Sequence, residues 1–236
     1  MGILQLYSPQ DFYVTVDRTA YCQGQFCWLP VPHIDPIPRI LDVERSSPTE
    51  HNEIKFVLRN ANRANDFQAL DRHLPVKNLN LRANEELFVQ RAKKRPGIII
   101  ASKVDIFPEI TNLLRQKGRP HLQQDSIFVI PIYSIENEEK KSGFPQEIVT
   151  KTLCLLYKQF FYLPNGKSFK EGIARFDRVQ VVVSRDRAAI VPMDICLSQD
   201  VLNLFFGLFI YCLTGVEDPD IKVARDLIKE TYSPEL

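Results

Sequence analysis

The apolar and polar positions divide the chain into short strand-like runs, an interval dense in proline, and a more regular second half. Residues 12–16 (FYVTV) and 25–32 (QFCWLPVP) read as strands. Proline then punctuates 32–48, which breaks helices and central strands alike. Residues 40–45 (ILDVER) and 53–59 (EIKFVLR) have strand character, and the SSPTEHN between them predicts a hairpin. Residues 61–73 suggest a short helix stopped by Pro75.

Further on the signal is clearer. Residues 97–102 (GIIIAS) form an unbroken β-branched run, the pattern of a buried strand. Residues 108–116 predict a helix ended by Lys117 and Gly118. Residues 126–133 (SIFVIPIY) predict a second buried strand, with Pro131 marking an edge or a bulge. Residues 145–161 carry helical spacing through Ile148, Leu153, Leu156 and Phe160. A turn at 162–170 leads to a third strand region over 173–183. Ser198 is the expected N-cap of an apolar helix over 201–213, and a terminal helix follows at 219–230. Strands and helices out of strict βαβ alternation predict an α+β class: a small, strongly bent sheet or barrel with appended helices.

Composition narrows the picture. With 44% hydrophobic and 25% charged residues, the 236-residue chain has ample material for a core. The balance of 30 Lys and Arg against 29 Asp and Glu excludes a uniformly basic surface but permits a local basic groove. Nine glycines and no GxGxxG or GxxxxGK run exclude a glycine-rich phosphate loop. The run 201–213 is too short to span a bilayer, and the N-terminus shows no secretory signal. Five dispersed cysteines without a CxxC pair read as reduced thiols, which points to the cytoplasm. Cys22, Cys27 and His33 lack an evident fourth ligand, so neither metal nor cofactor is expected.

Four groups of residues could carry chemistry. Arg91, Lys93, Lys94 and Arg95 stand just before the buried strand, as phosphate ligands or as a solvated cationic guard beside it. Arg175 and Asp177 would share one strand face while Phe176 enters the core. Such a pair is either a surface salt bridge or a base beside a cation. Tyr133 and Ser134 place hydroxyls at a strand end, where they serve a ligand or a turn. His33 lies near Trp28 and could approach a site, whereas His51, His73 and His121 are isolated.

The order of these pieces resembles the MazF/PemK/Kid family of toxin endoribonucleases. The family's G-[DEQ]-[IV]-x-W strand reads Gly24-Gln25-Phe26-Cys27-Trp28. Its R-P followed by an aliphatic strand reads Arg95-Pro96-Gly97-Ile98-Ile99-Ile100. Its V-x-P-[IV]-T-S strand reads Val129-Ile130-Pro131-Ile132-Tyr133-Ser134, and its R-x-D reads Arg175-Phe176-Asp177, followed by 179–186. The closing L-[ST]-x-[DE] is Leu197-Ser198-Gln199-Asp200 before the apolar helix. Tyr133 replaces the family threonine, and Gln90 stands where an acid often precedes the R-P arginine.

The resemblance implies an SH3-like β-barrel with C-terminal helices, usually dimeric, of the type shared with CcdB. Here it would form one elaborated domain over 1–236, with insertions at 33–90 and 136–170. It implies metal-independent cleavage of single-stranded RNA to a 2′,3′-cyclic phosphate, growth inhibition, and an antitoxin or other inhibitory protein as partner. Asp177 would be the general base, Arg175 the acid or phosphate stabiliser, Arg95 the ligand of the scissile phosphate, and Ser134 the second hydroxyl of the T-S pair. Lys93, Lys94, Arg91, Tyr133, His33 and Arg178 would contact RNA. The alternative on the same barrel is a catalytically degenerate toxin–antitoxin module that binds protein, as CcdB-type toxins do, or serves as sensor or scaffold. Five carboxylates within 35–53 against Arg39 and Arg45 suggest that the first insertion is acidic, leaving a basic site elsewhere.

Overall fold

A computed structural model describes residues 2–34, 37–45, 54–62, 64, 66–67, 85–102, 108–119, 126–138, 141–183 and 190–232. Its strands are β1 (Tyr13–Thr15), β2 (Gln25–Pro32), β3 (Arg39–Arg45), β4 (Ile54–Asn60), β5 (Phe88–Val89), β6 (Ala92–Ala101), β7 (Ser126–Ser134), β8 (Phe160–Leu163), β9 (Gly172–Arg175), β10 (Gln180–Val183) and β11 (Val191–Leu197). Its α-helices are α1 (Ile3–Leu6), α2 (Pro108–Gln116), α3 (Gln146–Leu153), α4 (Gln199–Thr214) and α5 (Pro219–Tyr232). The chain forms two compact units, Met1–Val31 with Lys94–Leu236, and Pro32–Lys93.

The larger unit is α+β and built on one sheet, ordered β1-β11-β2-β6-β7-β9-β8, with β10 also on β7. The register of β1 with β11, β6 with β7, β7 with β9 and β10, and β8 with β9 is antiparallel. The path is open from β1 to β8 among the described residues, so the expected closed barrel does not form. Its centre is buried on both faces. Phe26, Ile98, Ile100, Ile130 and Ile132 join one apolar cluster, while Cys27, Leu29, Val31, Ile99, Ile127 and Val129 join the other. Strand alternation therefore sends every residue of GIII into an interior, which is why the run is unbroken.

Pro131 marks a bulge. Ile132 stands opposite Ala174 and Val129 opposite Gln180, so three steps along β7 match six along its partner. The three extra residues, Phe176–Arg178, form one turn of 3-10 helix between β9 and β10. Proline has no N–H for a ladder, and the ladder is interrupted beside it. One lost hydrogen bond costs about 1 kcal/mol, whereas burying each of Ile130 and Ile132 contributes roughly 1.5–3 kcal/mol. Packing wins, and the strand stays central.

Helix α4 covers the larger cluster. Val201, Leu202, Leu204, Phe205 and Leu208 are buried on one stripe at helical spacing. Ser198 is the N-cap residue, although its hydroxyl makes no capping bond. Gly215 ends the helix at φ 74°, where its N–H donates to the Tyr211 carbonyl. Buried Arg225 on α5 pairs with Glu217 and donates to the Leu155 carbonyl, tying the terminal helix to the segment after α3. No single described helix is long and apolar enough to cross a membrane; α4 and α5 are bent by 100° at their break.

The expected helix over 145–161 stops at Leu153. Leu155 takes φ 53°, which breaks the helix, and 160–163 returns as β8. Residues 191–197 form a further strand, β11, that the sequence pattern does not predict. In the smaller unit β3 pairs with β4 and β5, as the predicted hairpin required for its first two strands. Arg59 bridges Asp42 and buried Asp66, and Phe67 stacks on Phe88 at 5.3 Å. The turn at 46–52 and most of the helix expected over 61–73 lie outside the described residues.

Gly97 tests the two-sided packing. A Cβ there would meet Val129 Cγ1 at 2.6 Å, Leu29 Cδ2 at 2.8 Å and the Ile130 carbonyl at 3.0 Å. Gly97→Ala is expected to lower unfolding stability by about 1–3 kcal/mol, read from urea denaturation with an unchanged m-value.

Candidate functional site

The 3-10 turn positions the site. Phe176 is buried and meets Phe205 edge-on at 5.0 Å and Phe209 at 5.5 Å. This anchor leaves Arg175, Asp177 and Arg178 partly exposed around it. Sequence alternation predicted the same neighbours by a different route. Arg175 ends β9, and the turn, not a continuing strand, brings Asp177 back to it.

Asp177 accepts from Arg175 Nε at 3.0 Å and from a terminal nitrogen of the same guanidinium. Arg178 Nε approaches Asp177 at 3.6 Å. The Asp177 hydrogen bonds hold Arg175 more firmly charged, against the opposing effect of its burial. Arg175 also lies 5.7 Å from the Phe160 ring, its register partner on β8, and 5.3 Å from the Tyr133 ring.

Arg95 reaches the same ring from the opposite neighbour of β7. Gly97 pairs with Pro131, and two further steps bring Arg95 opposite Tyr133. Its guanidinium carbon is 4.3 Å from the ring centroid. The two arginines therefore lie no farther apart than the sum of 4.3 and 5.3 Å. Arg95 makes no ion pair among the described residues. Three guanidiniums against one carboxylate leave the group net positive, the condition for holding an anion.

Other expected residues fall elsewhere. The basic run does not stand at the mouth of the strand: β6 begins at Ala92. Lys94 lies 5.7 Å over the Trp28 ring, which packs on the other apolar cluster, so alternation separates it from Arg95. Ser134 follows Tyr133 on a strand, so its side chain turns to the opposite face. His33, Arg91 and Lys93 belong to the smaller unit. There the His33 N–H donates to the Arg91 carbonyl, and the Gln90 amide donates to the His33 carbonyl, both at 2.7 Å. Gln90 thus braces main chain at the position where the family often has an acid. His51, His73, His121 and residues 184–186 lie outside the described residues.

No three His, Cys, Asp or Glu residues gather as a metal-ligand set among the described residues. Cys27 is fully buried, and desolvation pushes its thiol up to about 12. Sequence reasoning missed Phe160, which it placed on a helix. Tyr133 was singled out for its hydroxyl and as an RNA contact; what the sequence did not show is its ring lying between Arg95 and Arg175.

If Tyr133 is the shared platform, its ring supports two cation–π contacts. Tyr133→Leu is expected to lower stability by about 1–2 kcal/mol, at roughly 0.5–1 kcal/mol per contact, while Tyr133→Phe retains most of it. Double-mutant cycles with Arg95→Ala and Arg175→Ala would measure each coupling. In comparisons with protein-family models, curated proteins and solved structures, none matches this chain.

Proposed function

We propose that the larger unit is a toxin-type endoribonuclease that cleaves single-stranded RNA without metal, in the manner of the MazF/PemK/Kid family, on a sheet that is an opened relative of that family's SH3-like barrel. The observation that carries the reading is the sharing of the Tyr133 ring by Arg95 and Arg175. Two guanidiniums beside one aromatic ring offer a phosphate its charge-assisted hydrogen bonds and a nucleobase its stacking surface.

In the proposed reaction the ribose 2′-oxygen attacks the adjacent phosphorus and the bond to the 5′-oxygen breaks. A 2′,3′-cyclic phosphate and a 5′-hydroxyl result. Asp177 takes the 2′-hydroxyl proton, and water returns a proton to the leaving oxygen. Arg95 and Arg175 stabilise the charge that develops on the phosphate oxygens. While the pair holds, both Asp177 oxygens are engaged by the Arg175 guanidinium. The incoming phosphate draws Arg175 away, which frees the carboxylate at the moment the substrate is in place. Arg175 is a phosphate ligand in this scheme, since its pairing makes it a weaker proton donor.

A second reading keeps the unit as a catalytically degenerate protein-binding module. It is favoured by exposed apolar positions on the C-terminal helices: Ile210 at 53%, Leu213 at 64% and Val223 at 68%.

A mixed-sequence RNA incubated with the protein in EDTA separates the two. EDTA-resistant cleavage lost in both Arg95→Ala and Asp177→Asn is the expected result. Asp177→Asn should also bind RNA several-fold more tightly, because no carboxylate competes for Arg175; Arg95→Ala should bind it about tenfold more weakly. Absence of cleavage, or cleavage indifferent to both changes, removes the nuclease reading.

A further inference from the structure

Two of the five cysteines, far apart along the chain, are brought together at the turn that leads into β2. Cys196 stands opposite Gln25 in the register of β11 with β2, and the Leu197 N–H donates to the Gly24 carbonyl at 3.1 Å. The Cys196 thiol reaches the turn 22–25, which the Gln25 N–H closes on the Cys22 carbonyl at 3.2 Å. That thiol donates to the Gln23 carbonyl at 3.4 Å, and a Cβ at Gly24 would lie 3.1 Å from its sulfur. Burial pushes the Cys196 thiol up to about 12, and the Cys22 sulfur adds to the rise by its charge and by a thiol–thiol hydrogen bond. The two sulfurs are therefore direct neighbours.

The turn is held in place around them. Gln25 is fully buried, and its Oε1 accepts from the Cys22 N–H at 3.0 Å and lies 3.8 Å from Cys22 Sγ. Its Nε2 donates to the Asp17 carbonyl at 3.0 Å and to the Met193 carbonyl at 2.8 Å. One side-chain amide thus ties the loop 17–22 to β11. Tyr21 takes φ 48° and packs on the second apolar cluster, which fixes the direction in which the chain enters Cys22. The two thiols differ in access: Cys22 is partly exposed and Cys196 is buried. An accessible thiol beside a shielded one is the arrangement of a reactive cysteine and its resolving partner. Of the remaining cysteines, Cys27 and Cys154 are buried, and Cys212 is partly exposed.

We propose that Cys22 and Cys196 are a peroxide-reactive thiol pair, whose oxidised form is an intramolecular disulfide between the turn before β2 and strand β11. The Cys22 sulfur attacks one oxygen of a hydroperoxide such as hydrogen peroxide. The O–O bond breaks, the departing oxygen takes the Cys22 proton and leaves as water, and Cys22 becomes a sulfenic acid. The Cys196 sulfur then attacks the sulfenic sulfur. The S–S bond forms, the S–O bond breaks, and the hydroxyl leaves as water with the Cys196 proton. Two thiols are oxidised by two electrons, and one peroxide is reduced to two waters. The resolving sulfur is already in place, so closure outruns further oxidation of Cys22. The pair uses none of the residues around Tyr133, so it stands apart from the nuclease reading.

The test uses the full chain, reduced and then freed of reductant, with hydrogen peroxide as the probe. Non-reducing digestion and mass spectrometry should find Cys22 and Cys196 in one cross-linked peptide, from a single chain lighter by two hydrogens. Alkylation of Cys22 by iodoacetamide should fall about tenfold and recover with dithiothreitol, while Cys212, the other partly exposed thiol, keeps its labelling. Cys196→Ser is expected to leave Cys22 as a sulfenic acid that dimedone traps. If Cys196→Ser does not fold, Cys22→Ser decides the matter from a partly exposed position: it should abolish the loss of two hydrogens. Oxidation of Cys22 to a sulfinic acid without a cross-link overturns the proposal. So does a disulfide from Cys22 to another cysteine or to a second chain, loss of Cys22 labelling no faster than that of Cys212, or a two-hydrogen loss that persists in Cys22→Ser.

Discussion

Burial of β7 on both faces is the constraint from which the rest of the larger unit follows. A strand with Ile130 and Ile132 in one interior and Ile127 and Val129 in the other must have neighbours along its length on both sides. One side is taken by β6. The other is shared by β9 and β10, because Pro131 prevents a continuous ladder. The interruption is resolved by three extra residues, and those carry Phe176 and Asp177. Phe176 then fixes the turn under α4. The candidate site is thus a by-product of accommodating one proline in a central strand.

Much of this frame was legible. The run 25–32 and the helix 108–116 coincide with β2 and α2, because each is bounded by strong breakers and has one clear period. The run 160–163 was not legible as a strand. Four apolar residues after a helical pattern extend that pattern equally well, and only the left-handed backbone at Leu155 separates them. β11 was missed for a related reason. Met193, Ile195 and Leu197 alternate with Asp194 and Cys196, but the internal Pro192 argues against a strand when read from sequence alone. Barrel closure is a property of pairing between distant strands, and no local pattern encodes it. The charge expectation is met only marginally: over 33–90 the chain carries nine Asp and Glu against eight Lys and Arg, a lean of one charge.

The site was legible in its parts and illegible in its centre. Arg95, Arg175 and Asp177 were singled out because cations and carboxylates beside buried strands need a reason to be there. What joins Arg95 to Arg175 is Tyr133, a residue that weighed against the resemblance when read as a missing threonine. Its ring does what a threonine cannot, since it gives two like charges a common surface with partial negative character. Cation–π support at about 0.5–1 kcal/mol per contact is comparable with the screened repulsion of two partly exposed guanidiniums, so their proximity is tolerable without an anion and more favourable with one.

That balance also decides what Asp177 can be. A carboxylate held by both donors of one guanidinium and approached by a second is electrostatically satisfied. Left alone, such a group is structural: it fixes the orientation of Arg175, and its oxygens stay engaged by that guanidinium. The proposed catalysis requires that this satisfaction be withdrawn when substrate arrives, and the Tyr133 ring that Arg175 shares with Arg95 is where an anion would compete for it. A phosphate there would meet Arg95 first, since Arg95 has no other ion partner among the described residues, and only then contest Arg175 with Asp177. The order matters physically. Binding through Arg95 leaves the Asp177 pair intact, and binding through both arginines breaks it. In the proposed reaction the same four side chains would therefore distinguish an anion merely held from one positioned for in-line attack.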